Sequence, residues 1–241
     1  MLIVAAVIVL FAAFVRATSG FGQALIATPL LTLIMGAKDA VVISIILNCI
    51  TSILVLWHIR QHVDLRRAAF IGLGSIFGVP IGAFLLSTLD QQILKLVIAA
   101  LVIPFSVLLL LGHSHRFKNE RLGCILAGLA SGTLAASTSL GGPPVVLFLA
   151  NQGLVKERFV GTLAAYFLFS GIISIIAISP LGLVTTDLLI NVAALIPPLW
   201  LGSYAGIKVL PKINVNLFRK IVPLIVSIIG LVIIITVLTD L

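Results

Sequence analysis

Acidic residues are scarce in this chain: seven Asp and Glu stand against fifteen Lys and Arg in 241 residues. The seven are Asp39, Asp64, Asp90, Glu120, Glu157, Asp187 and Asp240, and each lies in a break between apolar runs or at the chain end. Cation pumps and proton antiporters keep a carboxylate inside the bundle, so its absence disfavours cation transport and leaves anions favoured. Cys49 and Cys124 are the only cysteines, too few for a disulfide framework. Sequences of the form GxxxxGK[ST], HExxH and GxSxG are missing, which excludes a phosphate loop and leaves no basis for a hydrolase. His113 and His115 form an HxH pair with no third ligand in reach, so neither a metal nor any other cofactor is expected. The basic residues form no stripe, which argues against nucleic acid. A basic stretch ahead of the first apolar run is also absent, which argues against a cleaved leader.

What is present is apolar surface. Hydrophobic residues make up 61% of the chain and charged residues 9%, against about 25% charged in soluble domains. Mean hydropathy is +1.32. These values predict an all-α polytopic membrane protein. Ten apolar segments can be marked, at 2–15, 23–36, 40–59, 66–88, 91–111, 122–136, 143–153, 160–179, 186–210 and 216–238. A straight crossing needs about 20 residues, so the first, second, sixth and seventh segments are short. The breaks Arg16 to Gln23 and Ser137 to Gly142 join them in pairs, as broken helices or as re-entrant hairpins. With the N-terminus outside and a crossing at every segment, thirteen of fifteen basic residues fall inside, Arg16 among them. Lys38 and Lys95 are the exceptions.

The chain also repeats itself. GVPIGAFLLSTLDQQILKLVI from Gly78 aligns without gaps on GSYAGIKVLPKINVNLFRKIV, 124 positions later. Five segments per half is an odd number, so the halves, 1–112 and 122–241, enter from opposite sides. They are expected to be inverted repeats joined by a cytoplasmic linker at 113–121. Gly74, Gly78 and Gly82, with Gly202 and Gly206, recur every four positions and predict close helix packing.

Inverted repeats enclose a site near the midplane, built from interrupted helices. Each break places Ser and Gly just before a helix, and Pro143 with Pro144 suits a helix start. Two helix N-termini converging from opposed halves would offer unpaired N–H groups and positive dipole ends to a small anion. The candidate residues are Arg16, Ser19, Gly20, Gly22 and Gln23 in the first break, and Ser137, Thr138, Ser139, Gly141 and Gly142 in the second. Arg16 breaks the symmetry, since its counterpart lies near Ala135; it reads either as an anion-neutralising fork or as a cytoplasmic topology charge. In segments three and eight, Ser44, Asn48 and Ser52 fall on Thr162, Tyr166 and Ser170 at an offset of 118. Asn48, Thr162 and Tyr166 join the candidate set, with interhelical hydrogen bonding as the competing role.

The runs GFGQALIATPLL, AVVISIILNCITSILVLWHIR, SLGGPPVVLFL and ERFVGTLAAYFLFSG together resemble the TauE/SafE sulfite exporter family of permeases, over essentially the whole chain. Gly20, Gly22 and Pro29 match its first Gly-rich break, Gly141 and Gly142 its second, and Val160-Gly161-Thr162 its following helix start. Gln23 and Ala24 depart from a usual glycine run, and Pro143 and Pro144 replace small residues. The resemblance implies transport of sulfite, sulfonates or similar small organic anions across the cytoplasmic membrane, and the inverted repeats suggest a secondary transporter that works by rocking one repeat against the other. An inside-negative potential pushes anions outward, which favours export. A passive anion channel and a non-transporting assembly subunit stay open as alternatives. The expected partners are a small anionic substrate and the lipid bilayer, and homo-oligomerisation stays open.

Overall fold

The computed structural model describes residues 1–111 and 119–209. Within them the chain is all helical, with no strand: α1 (Leu2–Ser19), α2 (Gln23–Thr32), α3 (Ala37–Ile59), α4 (Leu65–Thr88), α5 (Gln91–Leu111), α6 (Glu120–Thr138), α7 (Gly142–Ala150), α8 (Lys156–Ile178) and α9 (Thr186–Val209). Most of the linker and the tenth apolar segment lie outside the described residues, as do the last residues of the aligned second repeat.

Side-chain chemistry sets several of these limits. Asp64 caps α4 by accepting the Arg67 N–H at 3.1 Å, and Asn119 caps α6 by accepting the Leu122 N–H at 3.3 Å. Gly20 ends α1 in the left-handed region, with φ +85°, and donates its N–H to the Arg16 carbonyl at 2.7 Å. Ser139 ends α6 the same way at φ 62°, 119 positions later. The prolines Pro143 and Pro144 open α7, where no intrahelical N–H is needed.

Six described helices are long and apolar enough to cross a membrane: α1, α3, α4, α5, α8 and α9. Their outer faces carry bare apolar side chains, such as Trp57, Phe77 and Phe84, as lipid contact requires. Two expectations need correction. The first and sixth segments are not short, because α1 and α6 run through the polar residues to 18 and 19 residues. Only α2 and α7 are short, at 10 and 9 residues. At about 1.5 Å per residue each reaches only about half of a 30 Å hydrocarbon layer, so a crossing at every segment does not hold. In the second pair the chain doubles back: Gly141 lies against Ser131 and Ala135 of α6, and the Ser131 hydroxyl donates to the Gly141 carbonyl.

The two halves repeat one order of elements and exchange partners. A Cβ on Gly78 of α4 would meet the Leu129 carbonyl of α6, and one on Gly202 of α9 would meet the Leu10 carbonyl of α1. Leu10 and Leu129 are themselves 119 apart. Thus α4 packs along α6 and α9 along α1, each pair crossing between halves. Backbones this close leave room only for glycine. Between them α3 and α8 run antiparallel, with Gly161 against His62 and Gly171 against Cys49.

The ends of the bundle differ in charge. Arg67 donates to Asp64 at 2.6 Å and to Glu120 at 2.5 Å, Arg121 sits over Phe70, and the Asp64 N–H bonds Thr162. This gathers the starts of α4, α6 and α8. At the other ends of α3 and α4, Lys38 bonds the Ser87 carbonyl and Gln91 accepts the Ala37 N–H.

Candidate functional site

Both breaks open onto one place. A cavity is lined by Arg16, Phe21, Gly22, Gln23, Ala24, Leu25, Asn48, Ser139, Leu140, Gly142 and Phe167. A second adjoins it, sharing Asn48, Ser139 and Phe167 and adding Ile45, Ala135, Gly141, Ser170, Gly171 and Ser174. Each holds about 20 Å³, the volume of one or two waters. Depth follows from helix position. Asn48 lies eleven residues from either end of α3, and Phe167 eleven from either end of α8. At about 1.5 Å per residue both sit roughly 17 Å from each helix end, at mid-depth.

The first-turn residues of α2, Gln23 to Leu25, line the first cavity, and Gly142, at the start of α7, lines it from the other half. First-turn N–H groups lack intrahelical acceptors. Gly22 holds φ +96°, which directs the chain into α2.

Among the described residues Arg16 is the only charged side chain in the lining, and it is 2% exposed. Its Nη2 donates to Ser52 Oγ at 2.5 Å, and its guanidinium lies 5.0 Å from the centre of the Phe167 ring. Among the described residues it has no acidic partner, whereas Arg67 pairs with Asp64 and with Glu120. The cytoplasmic-charge reading of Arg16 is therefore wrong: the arginine is buried at the break, not at the bundle end. Around it, Gln23 Oε1 and Nε2, Asn48 Oδ1 and Ser139 Oγ are buried without hydrogen-bond partners. An unpartnered buried polar group costs about 1–3 kcal/mol, and a buried unpaired cation costs several. The cavity is thus electrostatically unsatisfied, with one full positive charge, two helix N-termini and free polar atoms. Its charge and its free donors match a small anion, and at about 20 Å³ the space as it stands is water-sized.

Of the residues singled out from sequence, Arg16, Gly22, Gln23, Asn48, Ser139, Gly141 and Gly142 line the two cavities. The others are placed elsewhere. Ser19 spends its hydroxyl on the Val15 and Phe21 carbonyls, at 2.8 and 2.6 Å, and Gly20 packs against Val160. Ser137 and Thr138 bond carbonyls one turn back in α6, at 2.7 and 2.9 Å. Thr162 bonds the Arg158 carbonyl and the Asp64 N–H at the charged end of the bundle. Tyr166 donates to Ser131 at 2.7 Å, and Ser131 in turn holds Gly141, so Tyr166 fixes the second break from behind.

Sequence reasoning passed over Phe167, the ring beneath Arg16, and treated Ser52 only as part of a polar stripe. The offset explains the first omission. Helices α3 and α8 coincide at 119 positions, not 118, so the counterpart of Asn48 is Phe167 and not Tyr166.

No curated protein and no solved structure matches the chain. A model of the sulfite exporter TauE/SafE family matches residues 5–233, a span that takes in both breaks, the buried arginine and every residue of the two cavities. On that match, the chain belongs to the sulfite exporter TauE/SafE family.

Proposed function

We propose that the protein is a secondary transporter that exports small sulfur oxyanions, sulfite or short organosulfonates, across the cytoplasmic membrane. The anion sits between the N-terminal turns of α2 and α7, with its charge neutralised by Arg16 and its remaining oxygens taken by Gln23, Asn48 and Ser139. The two halves stand inverted in the bilayer, with the cluster around Arg67 on the cytoplasmic side. An inside-negative potential then drives an uncoupled anion outward by about 2.3 kcal/mol per charge per 100 mV.

One observation carries this reading: a guanidinium buried at mid-depth, with no carboxylate beside it among the described residues, facing a cavity rimmed by two helix N-termini. A cation in that setting calls for an anion from outside the chain. The family supplies the chemistry of that anion.

Proteoliposomes loaded with radiolabelled sulfite test it. Efflux should saturate with internal sulfite and should collapse in Arg16→Met, because charge-assisted hydrogen bonds contribute about 1.5–3 kcal/mol, roughly 10- to 150-fold in affinity. Efflux untouched by that substitution would overturn the assignment of Arg16. Flux linear in concentration would make the protein a channel.

A further inference from the structure

The central space is two cavities of unlike chemistry, and the anion accounts for only one. The first holds Arg16 and both helix openings. Among the described residues the second holds no charge: Asn48 Oδ1, Ser139 Oγ and Ser174 Oγ are buried and make no hydrogen bond, and Ser170 Oγ lies toward the Tyr166 hydroxyl without a bond of good geometry. Ser139, Ser170 and Ser174 are at most 3% exposed. Hydroxyls in membrane helices ordinarily turn back to a carbonyl one turn earlier, and Ser52, Ser106, Ser137 and Ser179 do so here. Ser170 and Ser174 do not, although they stand on the same helix face one turn apart. Their free oxygens face a space that water-sized groups can enter.

Resting on the anion reading above, we propose that this second cavity is a subsite for an uncharged or cationic, hydrogen-bond-donating tail on the transported anion, and that Phe167 sets the boundary between tail and head. A sulfonate held against Arg16 lies at the level of the Phe167 ring. Ser170 and Ser174 follow by three and seven residues, about 4.5 and 10.5 Å along the helix. A two-carbon chain ending in a hydroxyl or ammonium spans the shorter of these distances. Its terminal donor meets oxygens that lack partners, and since the space is about 20 Å³ its methylenes enter as Ile45 and the Phe167 ring draw apart. A second carboxylate or sulfonate on the tail meets no cation there, since Arg16 lines only the first cavity. Monoanions with a donor-bearing tail are therefore selected over dianions of the same length.

Calorimetry on the purified full-length protein tests this with ethanesulfonate, 2-hydroxyethanesulfonate and sulfoacetate as probes. The hydroxyl should tighten binding about 3- to 10-fold over ethanesulfonate, the range one neutral hydrogen bond supplies, and sulfoacetate should bind more weakly than either. In Ser170→Ala/Ser174→Ala the hydroxyl preference should vanish, while ethanesulfonate binding reports that the protein is still folded. Phe167→Ala, which joins the cavities, should raise affinity for three- and four-carbon chains relative to sulfite. If wild type binds ethanesulfonate without preferring the hydroxyl, or prefers sulfoacetate, the tail subsite is wrong while the anion site stands. If no sulfonate and no sulfite binds, the anion site itself is wrong.

Discussion

Replacing Arg16 by methionine separates an arginine that binds from one that merely holds the fold. The guanidinium is 2% exposed and keeps two contacts, the 2.5 Å bond to Ser52 and the Phe167 ring at 5.0 Å. A hydrogen bond from a charged donor is worth about 1.5–3 kcal/mol, and a desolvated cation–π contact about 2 kcal/mol. Against these stands the desolvation of a buried cation with no counter-charge, several kcal/mol after relaxation. The terms nearly cancel. Methionine fills similar space, and Ser52 keeps its bond to the Asn48 carbonyl at 2.7 Å, so no buried donor is orphaned. The unliganded variant should therefore melt within a few degrees of wild type, or above it. The response to anion should differ sharply. Sulfite at 100 times its dissociation constant stabilises wild type by about 2.7 kcal/mol, which at about 2–4 °C per kcal/mol for a chain of this size is roughly 5–10 °C. Arg16→Met should show none of it. Thermal unfolding in detergent, with and without sulfite, reads both quantities. A variant that melts more than about 10 °C low, or that still responds to sulfite, refutes the reasoning.

The glycine contacts predict matched lesions: Gly78→Leu and Gly202→Leu should each lower the melting temperature, by about 1–3 kcal/mol or more of overpacking, whereas Phe77→Leu on the lipid face should change little. Asp64 supplies a pH signature. Burial alone would raise its pKa, but the Arg67 N–H and guanidinium, with Arg158 nearby, outweigh this and lower it below the ordinary 3.8. A depressed carboxyl stabilises the fold above its unfolded pKa, and that stability is lost as pH falls through the folded value. The gap in melting temperature between wild type and Asp64→Asn, which keeps the cap and removes the charge, should therefore be constant near neutrality and close below about pH 3.8; a gap that persists at lower pH would contradict the role of the Asp64 charge beside Arg67.

Hydropathy located the helices because lipid leaves the backbone no alternative to helix, so each described helix coincides with an apolar run. The breaks were legible from Gly20, Gly22 and the paired prolines, residues whose backbone limits are local, whereas Gly141, at an ordinary φ of −67°, is required by its contact with α6. Helix ends were less legible. Ser19, Ser137 and Thr138 look like loop residues on paper, yet each satisfies its hydroxyl on a carbonyl one turn back and so extends the helix. Arg16 could not be placed from sequence, because burial depends on α3 and α8 closing around it. Phe167 carries no polar signal at all. Its role comes from the ring face it turns to Arg16, which only the register between α3 and α8 decides.

That register also changes which parts can move. Rocking of one sequence half against the other does not suit this packing, because α9 is interlocked with α1 and α4 with α6 through backbone contacts at glycine. If the protein moves as two bodies, those contacts would keep together α1, α2, α3 and α9 on one side and α4, α6, α7 and α8 on the other, with the α3–α8 packing as the seam. Arg16, Gln23 and Asn48 belong to the first body; Ser139, Gly142 and Phe167 belong to the second, so the anion would sit on their shared surface. The contact of Arg16 with Phe167 bridges the two bodies. The antiparallel pair α3 and α8 is where they would have to slide. A Cβ at Gly171 would lie 3.2 Å from the Cβ of Cys49 across that seam, close to the 3.5–4.5 Å of a disulfide. Gly171→Cys, oxidised with a membrane-permeable catalyst, should bond to Cys49 and stop sulfite efflux, and a reductant should restore it. In a Cys49→Ala background the oxidant should have no effect. Full efflux from quantitatively cross-linked protein would show that α3 and α8 move together, and the exchanged bodies would have to be redrawn.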